Sequence, residues 1–473
     1  MAREKSKQPK LRGESSEAEH WGGPTRMSNE GPVMGLEQRG RVRRLHHRNN
    51  WRQDELDACD KQPFNIDKRL VYEAYKAVKS NRGGAGVDEQ SIEQFEEDLA
   101  GNLYKIWNRM SSGTYFPPPV RAVPIPKKSG GERILGVPTV ADRVAQMVVK
   151  QVIEPILEPI FLADSYGYRP NKSALDAIGA TRERCWKYDW VLEFDIKGLF
   201  DNIDHELLLR AVRKHITCKW ALIYIERWLK APMVREDGTT IERNCGTPQG
   251  GVVSPILANL FLHYTFDVWM ARTHPDLPWC RYADDGLVHC RSEQEAKALK
   301  AKLHARLAEC RLEMHPTKTR IVYCKDDNRR GRYPNVKFDF LGYCFRPRHV
   351  RRMRDNVLFG GFNPAVSPAA LNTMRAAIRD LKLRRQTQLS LQDIARELNP
   401  LLRGWIAYYG RYAPAALSPL LRYVNQTLVA WAHRKFKRFK RGATLAGQFI
   451  ARLATERPDL FAHWRLGMTA TFA

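Results

Sequence analysis

The 473-residue chain has no run of about 18 apolar residues, so no stretch of it reads as a membrane-spanning helix. Its opening, MAREKSKQPKLRGESSEAEHW, lacks the apolar core of a secretory signal. Nine cysteines lie scattered from Cys59 to Cys344 without a C-x-x-C pair, which argues against a zinc site. Their odd number and spread fit a reduced, cytoplasmic compartment better than a disulfide framework. No internal repeat is found. Acid is scarce: 52 Asp+Glu face 78 Lys+Arg, a net charge of +26. That excess implies a polyanionic partner, nucleic acid ahead of an anionic membrane surface. An ordinary hydrophobic fraction of 43% and this length allow two or three folded domains. The charge is uneven, because Arg346–Ala473 holds 23 Lys+Arg against 6 Asp+Glu, or +17. A basic module appended to something else is the simplest reading.

Residues 1–55 are polar, Gly- and Arg-rich and without periodicity, and read as a basic tail in which Met27 offers a second candidate start. Leu70, Val71, Tyr75 and Val78 open a helical pattern closed by NRGGAG. VRAVPIPKKSGGERILGVP predicts two strands around Gly130-Gly131. A long helix from about Ala141 should bury Val144, Val148, Val152 and Ile156. WVLEFDI (190–196) predicts a strand, and SPILANLFLHYTF a helix with Ser254 as N-cap and Pro255 at its first position. Strands and helices alternate irregularly, which predicts an α+β fold, mainly helical after about 362.

Chemistry concentrates in two acidic stretches. RYADDGLVHC (281–290) sets Asp284 and Asp285 between two short strands, with Asp-Gly as the expected tight-turn pair. Alone it could be an ordinary hairpin turn. FDIKGLFDNIDH (194–205) places Asp195 at the end of an apolar strand, where an unpartnered carboxylate is costly unless it caps a helix. Carboxylates about 4 Å apart repel by roughly 4 kcal/mol at an effective dielectric of 20, and two Mg²⁺ ions reverse that sign. Because successive strand side chains point to opposite faces, Asp284 is assigned as the firmer ligand and Asp285 as the supporting one.

FDIKGLFDNIDH, GTPQGGVVSPILANLFLH and YADD together resemble, in order and spacing, the reverse transcriptases, and most closely the group II intron-encoded reverse transcriptase/maturases. The resemblance covers roughly 64–465 and implies a right-hand polymerase of fingers and palm followed by a helical thumb/maturase (X) domain. It implies that Asp195, Asp284, Asp285 and the Ile196 carbonyl hold two Mg²⁺ ions. Phe200 would exclude the 2′-hydroxyl of a ribonucleotide, and Gln249 would lie against the incoming dNTP, with Gly250 and Gly251 giving backbone room beside the nascent base pair. Lys127 and Arg133 would clamp the triphosphate, with Lys128 a lesser partner. Lys318 would serve as general acid toward the leaving pyrophosphate, although Arg320 stands two residues away. FDFLGYCF (338–345) resembles the primer-gripping hairpin.

In the basic quarter, Ser367-Pro368 opens a helix with Leu371, Met374, Ile378 and Leu381 on one face and Arg375, Arg379 and Lys382 on another. LNPLLRGWIAYYGRY (398–412) matches the maturase region, with Trp405, Tyr408 and Tyr409 expected in its core. HRKFKRFKRG supplies Arg434, Lys435, Lys437, Arg438, Lys440 and Arg441, interleaved with Phe436 and Phe439, a mixture suited to structured RNA. The expected layout is a tail over 1–55, fingers over 56–185, palm over 186–345 and thumb/X domain over 346–473, without an endonuclease.

The expected partners are group II intron RNA, an RNA template with a DNA primer or target DNA, and dNTPs. No membrane is expected, and a homodimer stays open. Two rivals remain: a group II-derived enzyme recruited to DNA repair or host defence, and an RNA-binding splicing factor with a silent polymerase site.

Overall fold

The computed structural model describes residues 63–126, 131–351, 356–439 and 442–467. Expectations placed on residues 1–55, Cys59, Lys127, Lys128, Gly130, Lys440 and Arg441 lie outside the described residues. In chain order the strands are β1 (Val120–Pro126), β2 (Glu132–Val137), β3 (Trp190–Phe194), β4 (Met233–Val234), β5 (Thr240–Ile241), β6 (Trp279–Tyr282), β7 (Asp285–Cys290), β8 (Arg320–Tyr323), β9 (Phe338–Phe340), β10 (Tyr343–Arg351) and β11 (Leu358–Val366). They form three sheets, in the orders β2-β1-β4-β5, β6-β7-β3-β8 and β11-β10-β9. Helices separate and cover them, so the fold is α+β.

The sheet β6-β7-β3-β8 is antiparallel throughout and positions the acidic residues. Val191, Leu192 and Phe194 of β3 and Leu287 and Val288 of β7 are buried, so apolar burial fixes the register between them. The helix Val140–Leu157 begins at an N-cap, Thr139, whose side chain accepts from the Asp142 N–H. It buries Val144 and Val148, but Ile156 is exposed and the face passes to Val149, Ile153 and Leu157. Four residues advance a helix by more than one turn, so an i, i+4 stripe drifts and the next residue takes over.

The helix Ser254–Leu262 also departs from expectation. Val253, not Ser254, holds the cap position, and the buried Ser254 hydroxyl accepts from Thr247 Oγ1 at 2.7 Å. Its C-terminal end widens into a π-turn over His263–Asp267, a feature frequent beside functional sites.

From Pro368 the chain is mainly helical around its own core, which includes Ile394, Leu398, Leu420, Val424 and Trp431. A hairpin joins β9 to β10 through Leu341 and Gly342, both at positive φ, as a two-residue primed turn requires. Tyr409 packs on the helical core as expected, but Tyr408 packs instead on the core around the β9–β10 hairpin, which Tyr409 also reaches. Tyr408 Oη donates to the Leu341 carbonyl at 2.8 Å, and both rings pack on Tyr343, so they tie the helical part to this hairpin. Trp405 packs against the helical core as expected.

Candidate active site

Two ion pairs show which cation meets which acid. Glu193 pairs with Arg320 at the end of the β3–β8 ladder, and beyond it a turn over 316–318 brings the Lys318 side chain to Asp195. Lys318 Nζ lies 2.8 Å from Asp195 Oδ2, and Arg320 Nη2 lies 2.9 Å from Glu193 Oε2. Arg320 is therefore occupied by Glu193, and Lys318 is the cation beside Asp195. Just past β3, Lys197 N–H donates to the Glu313 carbonyl and His315 N–H to the Asp195 carbonyl. That alternation directs the intervening Ile196 carbonyl away from the 313–315 segment.

The acidic hairpin turns one residue earlier than Asp-Gly suggests. Tyr282 pairs with Asp285, so Ala283 and Asp284 form the turn and Ala283 takes φ 55°. Gly286 instead serves a close approach, since a Cβ there would come within 2.1 Å of the Phe194 ring. Asp284 is half-buried and Asp285 reaches solvent, yet enough protein lies around both to desolvate their carboxyls. Burial, followed by Asp284 and Asp195, pushes the Asp285 carboxyl up to about 7. Burial and then Asp195 raise Asp284, opposed by the positive charges of Arg133 and Lys318. Glu193 is pushed up to about 7 by burial despite Arg320, with Asp339 and Asp285 adding to the shift. No local pattern in the chain signals that Glu193 and Asp339 share this neighbourhood.

Beneath the turn sits a fully buried Arg281. Its guanidinium meets Asp267 at 2.7 and 2.6 Å, Ser165 Oγ at 2.8 Å and Asn259 Oδ1 at 3.1 Å. It also donates to the Ala283 carbonyl at 3.0 Å, inside the turn that carries Asp284. Asp267 comes from the π-turn, and Asn259 also donates to the Gly167 carbonyl at 2.6 Å. Gly167 lies against the turn so closely that a Cβ would come within 2.4 Å of the Ala283 nitrogen. Residues 164–168 thus brace the hairpin, a role that sequence periodicity does not mark.

Phe200 is buried on the short helix Leu199–Asn202, edge-on to Tyr168 at 6.5 Å between ring centroids. Gln249 Nε2 donates to both oxygens of Asp201 at 3.0 and 3.1 Å. The glycines after it are explained by packing within the protein: a Cβ on Gly250 would lie 2.8 Å from the Gly136 carbonyl oxygen, and one on Gly251 2.5 Å from Ser254 Oγ. Arg133 is exposed on β2, and its charge opposes the burial-driven rise in the pKa of both Asp284 and Tyr168.

The recess offers the chemistry that divalent cations need but not a closed cage. Among the described residues, no three His, Cys, Asp or Glu side chains are gathered closely enough to hold a metal as they stand. The residues nevertheless fit cations, because three mutually repelling carboxylates face one recess and the one with an ion-pair partner is held by a withdrawable Lys318 ammonium.

The basic quarter needs two corrections. Phe439 is buried, and Phe436 packs on Trp431, Phe439 and Phe449, so these rings fill the core and do not stack on bases. Lys435 caps the carbonyls of Thr387 and Leu389 at 2.8 and 2.7 Å, and Arg438 lies over Phe439 at 4.7 Å. Lys435 is half-buried and braces the fold, whereas Arg434, Lys437 and Arg438 are exposed. The helix Pro368–Asp380 is capped by Ser367, buries Met374 and Ile378, and carries Arg375 and Arg379. Lys382 lies past its end at φ 50°, where the helical stripe stops.

A sheet bearing a strand-end Asp and an Asp-Asp hairpin, followed by a helical module, has a counterpart among known proteins. Residues 125–345 match the family model of reverse transcriptases (RNA-dependent DNA polymerases), and 371–447 match the maturase-specific domain of group II introns. The group II intron-encoded protein LtrA of Lactococcus lactis subsp. cremoris is 36% identical over 197 residues, 41% of this chain and 32% of its own. Protein YkfC of Escherichia coli (strain K12) is 30% identical over 305 residues, 54% of this chain and 77% of its own. The chain belongs to the family of group II intron-encoded reverse transcriptases with a maturase domain. It spans 32% of the length of LtrA. Among the described residues no helix is long and apolar enough to cross a membrane.

Proposed function

We propose that the protein is an RNA-directed DNA polymerase that binds group II intron RNA, assists its splicing and copies it into cDNA. The observation that carries the polymerase part is the recess in which Asp195, paired with Lys318, faces the hairpin carrying Asp284 and Asp285. Asp195, Asp284, Asp285 and the Ile196 carbonyl would hold two Mg²⁺ ions. Bound there, the ions would offset charge on the attacking 3′ oxygen and the leaving phosphate and keep them in line. Lys318, released from Asp195, would carry a proton at Nζ for the departing pyrophosphate. Arg133, with Lys127, would bind the triphosphate, and the buried Phe200 would leave no room for a 2′-hydroxyl. Gln249, steadied by Asp201, would lie against the incoming nucleotide.

On this reading the sheet β6-β7-β3-β8 belongs to the palm, the β1–β2 hairpin to the fingers and the helices after Pro368 to the thumb and X domain. Arg375, Arg379, Lys382, Arg434, Lys437 and Arg438 are the described cations we assign to RNA, with Lys440 and Arg441 beyond the described residues. The test is primer extension on an RNA template with Mg²⁺. Asp195→Ala or Asp284→Ala should abolish extension and leave RNA affinity nearly unchanged, because the basic surface is untouched. Near-normal extension by either variant would overturn the assignment.

A further inference from the structure

Two basic segments that lie far apart in the sequence meet in one cleft. The end of the helix Pro368–Asp380 contributes Arg379, the following turn Lys382, Arg384 and Arg385, and the helix Ser418–Lys435 contributes Arg434 and Tyr423. The cleft holds about 410 Å³, and no carboxylate lines it. None of the five cations has a carboxylate within ion-pair distance among the described residues, although surface ion pairs occur elsewhere on the chain.

We infer that this cleft is a binding site for a sharply turned RNA strand, taking consecutive phosphates on its five cations and an unstacked base against Tyr423. The inference rests on the RNA-partner part of the reading above.

The ordinary explanation is that cations at helix C-termini offset the helix dipole. It accounts for Arg379 and Arg434, which lie in the last turns of long helices, but not for Arg384 and Arg385, which lie in a three-residue 3₁₀ turn, Leu383–Arg385, with little dipole of its own. Five like charges around a concave surface repel, which opposes gathering them there. The cleft is also built in advance. Trp431 Nε1 donates to the Gln386 carbonyl at 3.0 Å, Arg434 to the Arg384 carbonyl at 3.3 Å, and Lys435 to Thr387 and Leu389. These bonds pin the turn to the helix with its cations facing one space.

Concavity selects the ligand's shape. A straight duplex presents its phosphates on a convex surface and reaches only the rim, whereas a bulge or loop can fold backbone into the cleft. The Arg384 guanidinium stands 5.8 Å from the Tyr423 ring centroid, so a planar cation and an aromatic ring line the same space. Such surfaces accept unstacked bases, which RNA bulges supply.

The test uses the full chain and three probes: a hairpin RNA interrupted by a bulge, the fully paired hairpin of the same length, and the bulged hairpin made as DNA. The unaltered protein should bind the bulged RNA most tightly. Replacing Arg384 and Arg385 together (Arg384→Gln, Arg385→Gln) should weaken that binding by at least about tenfold and the paired RNA much less. The plot of log K against log salt should flatten by about 1.4 for the bulged RNA, about 0.7 for each single-stranded phosphate that is no longer neutralised. Thermal unfolding checks the fold. If this pair of changes melts early, Arg384→Lys with Arg385→Lys should keep the salt slope while losing preference for the bulge, because lysine lacks the planar fork. Equal losses on bulged and paired RNA would make the cations a general basic face and overturn the site. A loss on DNA as large as on RNA, or no loss on any probe, would overturn it as well. Primer extension by the unaltered protein, measured separately, reports on the polymerase reading and not on the cleft.

Discussion

Arg281→Met should destabilise the protein by about 3–5 kcal/mol, because it leaves Asp267 charged and unpaired in a place that excludes solvent. Asp267→Leu should cost a similar amount for the mirror-image reason. The double variant should be more stable than either single one. With both charges gone the desolvation penalty disappears, and what remains is the Ala283 carbonyl, the Asn259 amide oxygen and the Ser165 hydroxyl short of a donor, roughly 1–3 kcal/mol for each. Stability and activity should then part company. The double variant folds, but the turn that carries Asp284 has lost its buried anchor, and a displacement of about 1 Å at a reacting centre can cost about 100-fold in rate. Urea unfolding of the parent, both single variants and the double variant measures the coupling. Primer extension at saturating Mg²⁺ and primed template measures the turnover. The reasoning fails if each single change costs under about 1 kcal/mol, or if the double variant extends primers at the parent rate.

Phe200→Ala should raise ribonucleotide incorporation relative to deoxyribonucleotide, since ring bulk rather than a hydrogen bond would exclude the 2′-hydroxyl; an unchanged ratio would reduce Phe200 to a packing residue beside Tyr168. Asp285 and Glu193, each pushed up to about 7, bind protons in the folded state that the unfolded chain releases near pH 4, so metal-free stability should fall as pH rises through about 7. Mg²⁺ takes the ionised carboxylate, so it should raise the melting temperature more above about pH 7 than below it; an equal rise on both sides would refute the linkage.

What the sequence could and could not reveal divides along a physical line. The strands around Asp284 and Asp285 were legible because short apolar runs bounded by turn residues are local signals. The turn itself was displaced by one residue, since Asp-Gly looks like turn chemistry when in fact Gly286 makes room for Phe194, a residue from another strand. The preference for Lys318 over Arg320 rested on resemblance alone, whereas in the structure the ladder sets Arg320 against Glu193 and the turn after it brings Lys318 to Asp195. Phe436 and Phe439 were misread for the converse reason. Alternation with cations shows that two faces exist but not which face the core takes, and packing against Trp431 and Phe449 took the aromatic one. The bracing of the hairpin by Arg281, Asp267, Asn259 and Gly167 spans 14 and 22 residues within the later segment and 92 back to Gly167, and leaves no periodic trace.

The charges also set an order of events. A chain with net charge +26 attracts a polyanion along its basic helices, yet its candidate reaction centre is acidic. Glu193, Asp195, Asp284, Asp285 and Asp339 act on one another there, and Lys318, Arg320 and Arg133 offset them only in part. A phosphate approaching that recess is repelled until cations enter, whereas a phosphate approaching the cleft at Arg384 and Arg385 is attracted at once. Binding of the nucleic acid and readiness for chemistry are therefore separable by design of the charge distribution. Salt should weaken the first, because it screens an exposed basic surface. Divalent cations should control the second, because only they reverse the sign of the recess. If chelating the divalent cations released the RNA as readily as adding salt does, the two charge fields would be acting as one and this ordering would be wrong.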